Sequence, residues 1–194
     1  MNKNIRNIII GVGVAVLLGF FFGLTESLTR VRWGMLSWWL PAFMGAFTYY
    51  ILFNLSGTRK ESKADTAVLA DAMAFAAPTG QARVYVLRTG FAGKAAGMNV
   101  LLDGVPVAQL KSPRFTVVDM TPGAHEFRAH FSGGAGTQNR ECSVKVDVAA
   151  GSITVLRISV ELGMLKNQLL IAPVDLDSAR AELKRATMVV AEKA

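Results

Sequence analysis

The chain has one cysteine, Cys142, two histidines, and no charge at all in two long stretches near its N-terminus. A single cysteine admits no intrachain disulfide, so a small stapled fold is excluded. The one cysteine lies far from the end of the first apolar run, so the lipid anchor of a bacterial lipoprotein is not expected. Aromatic platforms are scarce too: the three tryptophans are Trp33, Trp38 and Trp39, and beyond the apolar stretches only Tyr85 and a few phenylalanines remain. That composition gives little to a glycan-binding surface. Acids are outnumbered, for a formal charge of +7, but Lys3, Arg6, Arg30, Arg32, Arg59, Lys60 and Lys63 all flank the apolar runs. Charge placed there anchors helices to anionic headgroups. Past Lys63 the basic residues are scattered among acids without a stripe or interleaved aromatics, so nucleic acid is not expected as a partner.

Residues 7–24 read NIIIGVGVAVLLGFFFGL and residues 33–55 read WGMLSWWLPAFMGAFTYYILFNL. At 1.5 Å per helical residue, runs of about 18 and 23 residues suit a hydrocarbon core of about 30 Å. A transmembrane helical hairpin over residues 1–56 is expected, with the lipid bilayer as its first partner. A cleavable signal peptide is the competing reading of the first run, but no A-x-A site follows it. Pro41 removes one backbone donor from the second run, predicting a kink relieved by neighbouring helix contacts or Ser37. Trp33, Trp38, Tyr49 and Tyr50 suit the two interfaces. Neither run holds an ionisable group, so an ion path or proton relay has no residue to use.

Gly11, Ala15, Gly19 and Gly23 recur every fourth residue and form a stripe that lets another backbone approach closely. It packs either on the second helix, through Ala42 and Ala46, or between subunits. A homo-oligomer or a membrane protein complex is therefore expected. Five basic residues at the outer ends of the hairpin, against Arg30 and Arg32 in its connection, place both termini inside. The C-terminal domain is then expected in the cytoplasm, with a periplasmic setting as the alternative.

Residues 57–80 read as a linker. SGTRKESK is the exit from the apolar run, and a stripe of Val68, Ala72 and Phe75 predicts a short amphipathic helix that lies on the membrane or caps the domain. In residues 81–194 the apolar period falls to two. Strands are predicted at 83–88, 98–103, 105–110, 114–119, 124–131, 141–148, 152–161 and 167–174. Asp103-Gly104 marks a type I′ hairpin, which needs positive φ at both central residues; Pro122-Gly123 marks a second tight turn. A final amphipathic helix with Leu176, Ala179, Leu183, Ala186 and Val190 on one face and Asp177 as N-cap covers one sheet. The fold class expected is a membrane α-helical hairpin followed by an all-β sandwich with a C-terminal helix.

ARVYVLRTGF, NVLLDGVPVAQL, FTVVDMTPGAHEF and AGSITVLRISV follow one another in an order that resembles a bacterial family of domains of unknown function. These are PEGA-like or prealbumin-like small β-sandwiches, often carried by lipoproteins. The resemblance covers roughly residues 80 to 185. It implies a strand opening at Ala82, a hairpin at Asp103-Gly104 and a turn at Pro122-Gly123 before His125. It names no catalytic residue and implies an exported setting, against the charge count.

TGFAGKAAG, residues 89–97, imitates a phosphate loop, but Arg88 replaces the first glycine, Ala95 replaces the Ser or Thr, and a strand follows instead of a helix. His125 alternates with Phe127, Ala129 and Phe131 whereas His130 falls on the other face, so the two do not meet at one metal. Cys142 shares a face with Val144, Val146 and Val148 and reads as a small core residue. Asp175, Asp177 and Glu182 read as helix-start acids. No catalytic residue, metal or cofactor is nominated. The expectation is a non-catalytic module for protein binding or assembly at the bacterial inner membrane; an envelope- or glycan-binding module and an enzyme are the alternatives.

Overall fold

The computed structural model describes residues 2–192 and divides into two compact units, Met1–Ser56 and Gly57–Ala194. The first consists of helix α1 (Lys3–Thr29) packed on helix α2 (Leu36–Leu55). Both are long and apolar enough to cross a membrane. Helix α1 outruns the apolar stretch because backbone hydrogen bonding continues past Glu26, with Thr25 and Thr29 bonding back to Phe22 O and Thr25 O. It ends at Arg30, which takes the left-handed conformation with φ 56°. Helix α2 passes through Pro41 uninterrupted. Ser37 does not relieve that proline; its hydroxyl bonds Gly34 O at 2.8 Å. Only Asn7 and Gly11 of α1, and Pro41 and Gly45 of α2, are buried. A core helix of a globular domain would bury a whole stripe; here isoleucine, leucine and phenylalanine face outward on both helices, and Trp38 and Trp39 do so on α2.

The second unit opens with helix α3 (Thr66–Met73), capped by Asp65, whose carboxylate accepts from Val68 N at 2.8 Å. Strands β1 (Ala82–Arg88), β2 (Met98–Leu102), β3 (Val105–Leu110), β4 (Arg114–Met120) and β5 (Gly123–Phe131) follow. A four-residue helix α4 (Ala135–Gln138) and short strand β6 (Asn139–Arg140) lead to β7 (Cys142–Val148), β8 (Ile153–Glu161) and β9 (Asn167–Val174). Helix α5 (Leu176–Arg185) and short strand β10 (Thr187–Met188) complete it. All eight long strands lie where the period-two pattern puts them, within two residues at each end.

Six strands form one sheet in the order β10-β4-β1-β8-β9-β6, and four form another in the order β3-β2-β5-β7. Strand β1 is central, antiparallel to β4 and parallel to β8, and buried along its whole length because both its faces are covered. Tyr85 and Leu87 on one face pack with Phe115 and Val155 against Ala72 of α3 and Ala179 and Leu183 of α5. Alternation turns Val84, Val86 and Arg88 to the other face, where Arg88 meets the four-stranded sheet. Each large apolar side chain so buried contributes roughly 1.5–3 kcal/mol. A buried arginine adds a polar tie: Arg83 is held between Asp119 of β4, at 2.7 Å, and Asp71 of α3, at 2.8 Å. Tyr85 donates its hydroxyl to Ala72 O, so α3 is bonded to the sheet twice over.

Both flanking helices depart from the predicted stripes. In α3, Val68 is exposed, and Phe75 lies beyond the helix at φ 49°, packed on Tyr85. In α5 the N-cap is Asp175, whose carboxylate accepts from Ser178 N, while Asp177 lies in the first turn and pairs with Arg180. The helix stops at Arg185. Met188 then joins the six-stranded sheet, because β4 would otherwise be an unpaired edge. Val190 is consequently exposed instead of continuing the helical face.

The segment after α2 is bonded to the β domain from its first residue. Gly57 O accepts from Gln109 Nε2, Thr58 Oγ1 accepts from Gly97 N, and Arg59 N donates to Gln109 Oε1. A Cβ on Gly57 would stand 2.3 Å from Gly133 N, so only glycine fits this approach. Farther on, Val190 N donates to Ser62 O and Ala64 N to Met188 O, extending the sheet beyond β10 by one irregular strand. The buried Glu61 carboxylate lies between Arg114 and Lys111.

Candidate functional site

Four small residues on α1 divide into two pairs. Gly11 is in backbone contact with α2: a Cβ there would lie 2.8 Å from Gly45 O, and one on Gly45 would lie 2.7 Å from Gly11 O and 2.8 Å from Ala15 Cβ. Gly11 and Ala15 thus share one crossing point with Gly45, and Ala42 and Ala46 line an apolar groove of about 300 Å³ beside it. Gly19 and Gly23 meet nothing within 4 Å. The pattern continues past the region that α2 covers.

At one end of the β domain, Asp103 and Gly104 connect β2 to β3 with φ 50° and 84°. The Asp103 carboxylate accepts from Glu126 N at 2.8 Å and lies 2.7 Å from His125 Nδ1. His125 Nε2 faces Thr121 O at 2.9 Å. With an acceptor before each ring nitrogen, the imidazole satisfies both only as the doubly protonated cation. Asp103 and the Thr121 carbonyl accordingly raise the His125 pKa, and the hydrogen bonds from Glu126 N and His125 hold Asp103 below the usual carboxylate range. Pro122 and Gly123 carry the chain from β4 in one sheet to β5 in the other, with Gly123 at φ 136°. His125 therefore fastens the sheet-crossing connection to the β2–β3 turn.

At the opposite end lies a feature that sequence reasoning passed over. Arg88 is 1% exposed and, among the described residues, is held by carbonyl oxygens and an aromatic ring instead of a carboxylate. Its Nη1 donates to Ala96 O at 2.7 Å and Leu110 O at 2.5 Å, its Nη2 donates to Gly93 O at 2.5 Å, and its guanidinium lies over the Phe131 ring. Desolvation pushes its pKa down to about 10, leaving it charged at neutral pH. Residues 89–97 therefore fold around a cation with carbonyl oxygens pointing inward. A phosphate cradle needs N–H groups there, so the geometry opposes anion binding at TGFAGKAAG.

The other reactive groups are dispersed. His130 Nε2 lies 3.1 Å from Asn99 Nδ2, within a chain of hydrogen bonds that includes Gln109 and Ser132. Cys142 is half-buried on an outer strand, and burial pushes its thiol up to about 11. Glu182 pairs with Arg157 and so stands apart from Asp175. Among the described residues no group of three His, Cys, Asp or Glu is placed to hold a metal ion. What the arrangement offers is surface and packing: an open helix stripe, the outer strand β7 of the smaller sheet, and loop tips.

Comparison with known proteins returns no matching family model and no matching curated protein.

Proposed function

We propose that this chain is a membrane-anchored, non-catalytic module: a helical hairpin in the bacterial inner membrane bearing a small prealbumin-like β-sandwich that binds or assembles protein partners. The observation that carries the reading is the open Gly19–Gly23 half of the α1 stripe. Lipid gives no packing advantage to small residues, whereas a second helix approaching them gains backbone contact along its length. The outward apolar surface of both helices supports the bilayer as their surroundings. The outer strand β7 of the smaller sheet offers an edge to a partner's strand.

In this reading the protein self-associates through α1, and the β domain faces the cytoplasm, as the basic residues flanking the hairpin direct. Replacing Gly19 and Gly23 with isoleucine tests it. The mass of the detergent-solubilised protein, measured by light scattering, falls to that of the monomer. An unchanged monomeric mass for both proteins sinks the assembly reading. Sidedness is tested separately with Ala150→Cys in a Cys142→Ser background: an impermeant thiol reagent labels it only after lysis, and labelling of intact cells reverses the orientation.

A further inference from the structure

We infer that the β domain carries its own lipid-contacting surface, made by the tips of the β1–β2 and β8–β9 loops, which dip into an anionic bilayer interface. These tips hold the most exposed large apolar side chains of the domain: Phe91 is 88% exposed, Leu162 80% and Leu165 97%, with Met164 fully open. Large exposed apolar side chains clustered at one end of a domain mark an interaction site. Their placement follows from strand direction. Strands β1 and β8 are parallel neighbours, so the loops that follow Arg88 and Glu161 leave the same end of the sheet.

That same end receives the chain from α2. Gly57 is bonded to Gln109 near the end of β3 and abuts Ser132 and Gly133 just past β5, while Thr58 is bonded to Gly97 at the close of the β1–β2 loop. Gly57 is joined by one peptide bond to Ser56, the cap of α2. If α2 spans the bilayer, as the proposed function holds, Gly57 follows its cap by one peptide bond and leaves the bilayer at the headgroups. The β2–β3 turn and the β4–β5 connection lie at the other end.

Charge is distributed the same way. Exposed Lys60, Lys94, Arg140 and Lys166 gather toward the loop end, with Asp65, Glu141, Glu161 and the Arg59-paired Glu192 as exposed acids. The far end presents Asp103, Asp147, Asp175 and Asp177 against the bases Lys145 and Arg180. Basic residues around apolar tips are the composition of an interfacial anchor, seated about 5–10 Å into the headgroup and acyl boundary. An anionic lipid surface fits both halves of the patch; an acidic protein fits only the charges.

The test uses the full chain in vesicles of phosphatidylcholine with phosphatidylglycerol. A Cys142→Ser background carries one fluorophore-labelled cysteine in turn: Phe91→Cys, Met164→Cys, Ala150→Cys at the far end, or Leu17→Cys in α1. Probes at 91 and 164 are expected to be quenched by brominated lipid and shielded from aqueous iodide, more strongly with phosphatidylglycerol present, and the probe at 150 the reverse. Iodide access at 164 overturns the inference. Shielding from both quenchers overturns it equally, since protein then covers the tip. The probe at 17 reports separately on the hairpin: lipid quenching there with none at 164 leaves the anchor standing and removes the loop contact. A second measurement needs no cysteine change. The unmodified chain irradiated with a photoactivatable phospholipid gives adducts at residues 162–165, and adducts confined to α1 and α2 contradict the proposal.

Discussion

The guanidinium carbon of Arg88 lies 4.8 Å from the centre of the Phe131 ring, so a cation at the end of the central strand is roofed by an aromatic from the facing sheet. Three carbonyl oxygens complete its surroundings. Replacing Arg88 with methionine keeps much of the volume but leaves those carbonyls unpaired in the interior. A loss of at least about 3 kcal/mol is expected, measured by denaturant unfolding. Lysine restores only part of it, because an ammonium lacks the planar fork that reaches three acceptors at once. An Arg88→Met protein as stable as the wild type would mean the loop is held by other contacts.

Gly57→Ala is expected to detach the exit segment from the domain. A Cβ 2.3 Å from a backbone nitrogen has no flexible neighbour to displace. The bonds of Gly57 and Arg59 to Gln109 should open together, at a cost of about 1–3 kcal/mol, and proteolysis between residues 57 and 63 should accelerate. Gln109→Leu removes the same bonds from the other side and should show the same cleavage.

Gly45→Val is expected to act on the hairpin alone. The substituent meets Gly11 O and Ala15 directly, so the helices must separate and lose packing on the order of 1 kcal/mol or more. Cross-linking between cysteines at Ile8 and Tyr49, which line the groove beside this contact, should drop. Gly23→Val, facing open space, should leave that cross-link intact.

The pair His125–Asp103 sets a pH response with two limbs. The His125 pKa is raised above its ordinary 6.5, so its stabilising contribution is complete below that value and lost as pH rises through the raised one. The Asp103 pKa is lowered from 3.8, so its contribution is present above that value and lost as pH falls through the lowered one. Half of the Asp103 side chain is exposed, and solvent screening limits the effect to about 1 kcal/mol or less. Thermal unfolding between about pH 6 and 9 should show a declining midpoint that His125→Gln flattens; parallel curves for both proteins would refute the pairing.

Strands were legible in the sequence because alternation records burial on one face directly: Phe127, Ala129 and Phe131 are buried while Arg128 is not. The β2–β3 hairpin was legible because Asp103-Gly104 states its own backbone geometry. Strands β6 and β10, two residues each, were not: they exist only because β9 and β4 offer unpaired edges far away in sequence. Arg88 escaped notice for the same reason. A charge at a strand end reads as solvent-facing until the carbonyls of Gly93, Ala96 and Leu110 converge on it. Asp175 and Asp177 are two residues apart with the same chemistry, and only the extended backbone at Asp175, φ −63° and ψ 138°, decides which one caps. Of the α1 stripe, the spacing was legible; its division between Gly11 and Gly19 depends on where α2 crosses.

The pairing of Ser62 and Ala64 with Met188 and Val190 ties the first extended stretch of the β domain to one of its last. During synthesis, residues 62–64 emerge with no strand to pair with and wait through well over a hundred further residues before it exists. The domain's outer edge therefore closes only when Val190 has cleared the ribosome. A chain stopped at Arg185 would hold all eight long strands and still leave Ser62 and Ala64 without their partners.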